Sequence, residues 1–397
     1  MFNLPKTSDS LCNEFIHTDC KEELFTLLDQ YVQKHGASIF TTVLNARRKQ
    51  IIQSAPHYES CNLATIFSHE NYRELAKQPI SHAPEIYSVI ESLSLKYSPH
   101  WLEFWCEFSI YSLKEKYKTP THCSPMKLTV DNDHAYQSEI VGHIENDKRL
   151  FSTLHHTSAM TLSDAISLIN LDVFVRQKQW YEMLICMELS QSGEHFILST
   201  CTEDSEYPIL VSSALIQSWE KRHNWLSYQS FFQNSQWKLN LSNDGLDILN
   251  NSELFSPPLN MKYKSVLHFE QDFQKKLNNT SHLCEVLRLT VSGSIRQRVY
   301  FLYLAQKRLM AELVQMGYKF SLTIIEQPLM LRFYSRLQTK GYFNTSYQYI
   351  NGASQATHKG VWNTSCLSKE FESIRFSQYK SLVSLSKNIE QQETVHV

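Results

Sequence analysis

The sequence predicts a mixed α/β (α+β) protein in three stretches: a helical N-terminal region (residues 1–120), a connecting segment (121–150), and a domain with a mixed central sheet (151–397). Three observations predict it. Apolar residues recur at helical spacing through the first 116 residues. Prolines and short polar residues then interrupt the pattern. Beyond residue 150, short apolar runs with strand character alternate with amphipathic stretches, punctuated by glycine and proline.

The helical stretches come first. Residues 21–34 place Leu24, Leu27, Leu28 and Tyr31 on one face, and Gly36 stops the helix. Stretches 38–52, 63–77 and 84–96 read as three further helices. Residues 101–116 carry Trp101, Phe104, Trp105, Phe108 and Tyr111, a stripe whose spacing suits a helix core better than a ligand platform. Around 118–144, Pro120, Pro125 and a run of Asn, Asp and His mark the connection. Residues 163–184 are helical in pattern, and 195–201 with 209–215 form a hairpin joined by a polar stretch. The polar region 234–264, with Pro257 and Pro258, reads as a loop excursion. Next comes a strand (282–291), the turn Ser292-Gly293-Ser294 and a helix (298–316) with Leu302, Ala305, Leu309, Leu313 and Met316 in line, ended by Gly317. A buried strand (320–325), a helix opened by Pro328 and closed by Gly341, and a final strand (342–350) complete the pattern.

Composition narrows the function. With 38 basic and 40 acidic residues the net charge is −2, so a nucleic-acid partner is not expected. Nine cysteines are scattered without a CxxC pair, which argues against a metal site or a disulfide framework and for reduced thiols in a cytoplasmic protein. The N-terminus has no signal-peptide pattern, and no apolar run approaches the roughly 20 residues of a membrane span.

The order strand, turn, helix, strand, Pro-started helix, strand resembles the second half of an acetyltransferase-like (GNAT) fold. Glu285-Val286-Leu287-Arg288, on the strand before the main helix, resembles the Glu-x-x-Arg of the LuxI-type acyl-homoserine-lactone synthases. Val173-Phe174-Val175-Arg176 followed by Trp180 resembles their Val-Phe…Trp segment. Two features depart. Only Glu188 and Glu194 stand where those enzymes carry an acidic run, and Ser212-Ser213-Ala214-Leu215 replaces a strand arginine. Length, helical extension and divergence together resemble the LuxM/AinS/VanM family of autoinducer synthases instead.

That resemblance implies a chemistry. The amine of S-adenosylmethionine would attack an acyl thioester, and the methionyl carboxylate would close a lactone and expel methylthioadenosine. Glu285 would take the amine proton, and Arg288 would hold a carboxylate or orient Glu285. Residues i and i+3 of a regular strand lie on opposite faces, so sharing a site requires a twist or bulge. Phe174 and Trp180 would wall the adenosyl side, where an aromatic face suits a sulfonium, and Arg176 would contact either substrate. Gly293, Arg296 and Arg298 stand at a helix N-terminus suited to an anion. The loop lacks the second glycine usual in coenzyme A users, which favours acyl carrier protein as donor, with acyl-CoA open. No metal and no dedicated cofactor are expected, and the oligomeric state is not readable. His155-His156 lacks the Asp-Gly of condensation domains, and Glu203-Asp204-Ser205-Glu206 suits a hairpin tip. Two other readings remain at this stage: a GNAT-like acyl-CoA N-acyltransferase using another amine, and a non-catalytic acyl- or nucleotide-binding regulator.

Overall fold

The computed structural model describes residues 8–384 except 60, 119–127, 129, 131, 204, 221–224, 229, 234–235, 327, 338–339 and 350–355. Asp204 of the acidic tetrapeptide and the prolines at 120 and 125 fall outside the described residues. The chain divides into two compact units, Met1–His122 with Ser167–Ser190, and Cys123–Ile166 with Gln191–Val397.

The first unit is helical: α1 (Ser8–Ile16), α2 (Lys21–His35), α3 (Ser38–Ser54), α4 (Leu63–Phe67), α5 (Tyr72–Leu75), α6 (Glu85–Ser94) and α7 (Trp101–Lys116). Later in the chain follow the end of α8 (Leu162–Asn170), a π-helix (Leu171–Gln177) and α9 (Glu182–Ile185). Gly36, at φ +83°, ends α2 as its sequence position predicts. The aromatic stripe of α7 is core. Phe25 meets Phe104 with ring centroids 5.2 Å apart, and Phe40 stacks on Trp105 and Phe108 at 5.2 Å. Residues 63–77 are two short helices rather than one. Ser68 and Asn71 favour a turn between them, and the His69 ring accepts the Asn71 N–H at 3.1 Å.

The second unit is built on a sheet of ten strands: β1 (Tyr136–Val141), β2 (Leu150–Thr153), β3 (His156–Thr161), β4 (Glu194–Thr200), β5 (Ile209–Ser218), β6 (Lys238–Leu239), β7 (Leu283–Val291), β8 (Phe320–Ile325), β9 (Tyr342–Gln348) and β10 (Thr357–Asn363). Their order is β1-β4-β5-β7-β8-β10-β9-β6, with β2 pairing both β3 and β5. β7 and β8 run parallel, as do β2 and β5, and the other described pairs are antiparallel. The sheet is therefore mixed, as the sequence predicts.

Helices cover both faces. On one face lie α12 (Ile295–Gln315), α13 (Pro328–Arg336), α14 (Thr364–Ser373) and α15 (Phe376–Ser384). They enclose a core with Phe196, Val211, Val286, Leu302, Leu309, Phe333, Trp362 and Tyr379. Each fully buried leucine there contributes about 1.5–3 kcal/mol. On the other face α10 (Asn243–Asn250) and α11 (Val266–Lys276) pack with Trp225, Leu283, Phe320, Leu322 and Val361.

Three further expectations need correcting. The region read as a loop excursion contains β6 and α10, whose Ser242 cap accepts the Gly245 N–H. The strand at 342 is not the last: β10 follows and lies between it and β8. Edge strand β1 goes unread, because polar Gln137, Ser138 and Glu139 suit an edge and hide its alternation.

Candidate active site

Parallel neighbours β7 and β8 pair only over Leu283–Val286 and Phe320–Thr323. Beyond Val286, β7 continues to Val291 alongside β5. Beyond Thr323, β8 continues alongside β10. The two strands thus part in the middle of the sheet.

At the parting β7 bulges. Leu287 pairs with Leu215 and Thr290 with Ser213, so Arg288 and Leu289 stand opposite Ala214 alone. Arg288 takes φ +57°, a left-handed conformation rare for a residue with a long side chain. The bulge resets the alternation. Before it, Cys284 and Val286 point into the α12 core, so Glu285 and Leu287 face the α10/α11 layer. After it, Val291 and Leu289 turn to the α12 side, and Arg288 stands at the step between the two runs, close enough to His195 for its charge to act on that ring. A bulge of the kind that the i, i+3 spacing calls for is thus present at Arg288.

Glu285 is fully buried. Its Oε1 accepts the Ser227 backbone N–H at 2.9 Å and the Ser227 hydroxyl. Ser227 also presents its carbonyl to the Lys359 ammonium at 3.1 Å, and Lys359 pairs with Glu270 at 2.6 Å. Burial pushes the Glu270 carboxyl up and the Lys359 amine down, each against the pull of its partner. His195 lies on β4, in register with Leu215 and through it with Leu287, and is almost wholly enclosed. Burial pushes its imidazole down to about 4, and the nearby Arg288 charge acts in the same direction. Sequence reading missed Ser227, Glu270, Lys359 and His195. A charged residue alternating with apolar ones, as Lys359 does before Val361, reads as a solvent-facing position until the covering layer is known.

Downstream, Gly293 takes φ +105°, and an added Cβ would meet Gln297 at 3.0 Å. Ser294 caps α12 in a reciprocal arrangement: its hydroxyl accepts the Gln297 N–H, and the Gln297 side chain accepts the Ser294 N–H. Arg296 is exposed and Arg298 half-buried in the first turn. Glu285, Arg288, Gly293, Arg296 and Arg298 all belong to the second unit.

Phe174, Arg176 and Trp180 belong to the first unit. The π-helix Leu171–Gln177 carries Phe174 and Arg176, a rare form that recurs at functional sites. The Trp180 N–H donates to the Phe174 carbonyl at 3.1 Å, and the two rings meet edge-on at 5.9 Å. Lys178 Nζ lies 5.3 Å from the Phe174 ring, and the exposed Arg176 pairs with Asp172 at 2.7 Å.

The family model described as acyl homoserine lactone synthase matches residues 18–393. The chain belongs to that family. Members transfer an acyl group to make the lactone signals of quorum sensing, so this synthase is an acyltransferase and the reading as a non-catalytic regulator falls away. It is 39% identical over 364 residues to the acyl-homoserine-lactone synthase LuxM of Vibrio atlanticus, covering 91% of this chain and 92% of that protein. It is 38% identical over 368 residues to LuxM of Vibrio campbellii, at 92% of each chain, and 37% identical over 373 residues to the synthase OpaM of Vibrio parahaemolyticus, at 94% of each. No solved structure matches the chain. Among the described residues, no helix is long and apolar enough to cross a membrane. Cys20, Cys61, Cys106, Cys201, Cys284 and Cys366 stand outside any disulfide among the described residues.

Proposed function

We propose that the synthase acylates the amine of S-adenosylmethionine from an acyl thioester and then closes the lactone. One observation supports this reading: β7 bulges at Arg288, three residues beyond the buried Glu285, where β7 and β8 part. In the first step the amine nitrogen attacks the thioester carbonyl, a proton leaves the nitrogen, and the carbon–sulfur bond breaks to release a thiolate. Glu285 accepts that proton, directly or through one water, a contribution of about 10²–10⁴ in rate. Arg288 binds the methionyl carboxylate by a charge-assisted bond. In the second step that carboxylate attacks its own γ-carbon, the carbon–sulfur bond breaks, and methylthioadenosine leaves. Within the first unit, Phe174 and Trp180 form an aromatic pair of the kind that suits a sulfonium.

Gly293, Arg296 and Arg298 serve the donor end. The Ser294–Gln297 capping box occupies two N–H groups that a pyrophosphate would need. That supports acyl carrier protein over acyl-CoA as donor, with the exposed Arg296 meeting an acidic partner. Carrier-bound acyl groups and S-adenosylmethionine are cytoplasmic metabolites, so we place the reaction there, with no cofactor beyond the two substrates. The test is direct. Purified protein is given S-adenosylmethionine with acyl carrier protein or acyl-CoA thioesters, and methylthioadenosine and lactone are quantified. Equimolar release of both is expected, faster from the carrier protein. Acylation without methylthioadenosine release would overturn the reading.

A further inference from the structure

Behind Glu285 lies a connected set of buried polar groups to which the reaction above gives no role. Lys359, on β10, is 3% exposed. Its ammonium donates to the Ser227 carbonyl at 3.1 Å, to the Phe232 carbonyl, and to Glu270 Oε1 at 2.6 Å, and it lies 4.8 Å from the Trp237 ring centroid. The other Glu270 oxygen accepts from Gln233 at 3.2 Å. One ammonium therefore grips two consecutive short 3₁₀ turns, Leu226–Tyr228 and Ser230–Gln233. The first of these turns holds Glu285: the Ser227 N–H and hydroxyl both end on its Oε1. The order of contact is Glu270, Lys359, Ser227, Glu285.

Stability alone does not account for this arrangement. A buried ion pair recovers little more than its desolvation cost, and an apolar pair of like volume is often as stable or more so. What the pair achieves is placement. A carboxylate held by two donors from one residue moves with that residue, and that residue is fixed by the lysine. Displacement of a reacting group by about 1 Å costs on the order of 100-fold in rate.

We propose that Lys359 is a positioning residue for acyl transfer, fixing Ser227 and through it the carboxylate of Glu285. The proposal rests on Glu285 being the group that meets the amine. Glu270 compensates the lysine charge, so the two are replaced together to avoid leaving either buried alone.

The test compares full-length wild type, Ser227→Ala, Glu270→Gln/Lys359→Met, Glu285→Gln and the triple variant. Melting temperature is recorded, with kcat and KM for S-adenosylmethionine and enough enzyme to read residual rates. For the double variant, a kcat about 10- to 100-fold lower is expected, with KM within about threefold and melting within about 5 °C of wild type. Ser227→Ala should lose kcat in the same direction. The decisive comparison is the triple variant, whose rate should equal that of Glu285→Gln, because a residue acting through Glu285 has nothing left to position. A triple variant slower than Glu285→Gln by the full factor of the double variant would make the cluster structural only, and a double variant with full kcat would also overturn the proposal. If the double variant does not fold, Ser227→Ala decides, with wild-type kcat counting against. Near-normal turnover from Glu285→Gln itself would instead remove the reading of Glu285, a separate outcome.

Discussion

Acid should destabilise the sheet unit through one imidazole, His195, and replacing it by glutamine isolates the effect. The ring is 1% exposed. Burial pushes it from an ordinary 6.5 to about 4, Arg288 adds to the depression, and the Gly193 carbonyl opposes it. A depressed imidazole contributes stability that is present above 6.5 and is lost as pH falls through about 4. At about 1.4 kcal/mol per pH unit, the lost stability amounts to about 3 kcal/mol. His195→Gln has no proton to take up, so its stability should fall less on acidification. Urea unfolding of both proteins at several values between pH 7 and pH 4 reads the difference. The gap in unfolding free energy between them should change by about 3 kcal/mol in favour of the variant as pH falls. Parallel stability curves across that window would refute the reasoning.

Two further outcomes follow from packing. Arg47 and Glu91 are both fully enclosed and pair at 2.7 Å in the helical unit, so Glu91→Ala should cost about 3–5 kcal/mol, whereas Arg47→Met/Glu91→Leu should cost far less; urea titration separates the cases. At Gly360 an added Cβ would overlap the Tyr342 ring, so Gly360→Ala should lower stability by about 1–3 kcal/mol, and Tyr342→Ala in the same chain should relieve part of that loss in a thermal melt.

Legibility in the sequence followed the strength of local signals. Helix α7 is observed over the residues its aromatic spacing marks out, 101–116. β7, β8 and the hairpin of β4 with β5 lie within a few residues of their expected bounds, because apolar alternation and flanking glycines act locally. β10 stayed hidden because Gly360 weakens its strand character, and its role is to let the Tyr342 ring lie against the backbone. The Glu285–Arg288 spacing was visible, but the bulge was not, since arginine gives no sign of a left-handed conformation where glycine or asparagine would. Ser227, Glu270, Glu285 and Lys359 meet only through tertiary packing, across sequence separations of 58 to 132 residues. No periodicity within a single strand or helix carries such information.

The central claim is that the carboxylate on β7 takes the proton of the attacking amine. Glu285→Gln tests it with little disturbance, since the amide oxygen can still accept both Ser227 donors in the same volume. Steady-state release of methylthioadenosine should fall at least about 100-fold in kcat, with melting temperature close to wild type. Turnover within a few-fold of wild type from a well-folded Glu285→Gln protein would contradict the account.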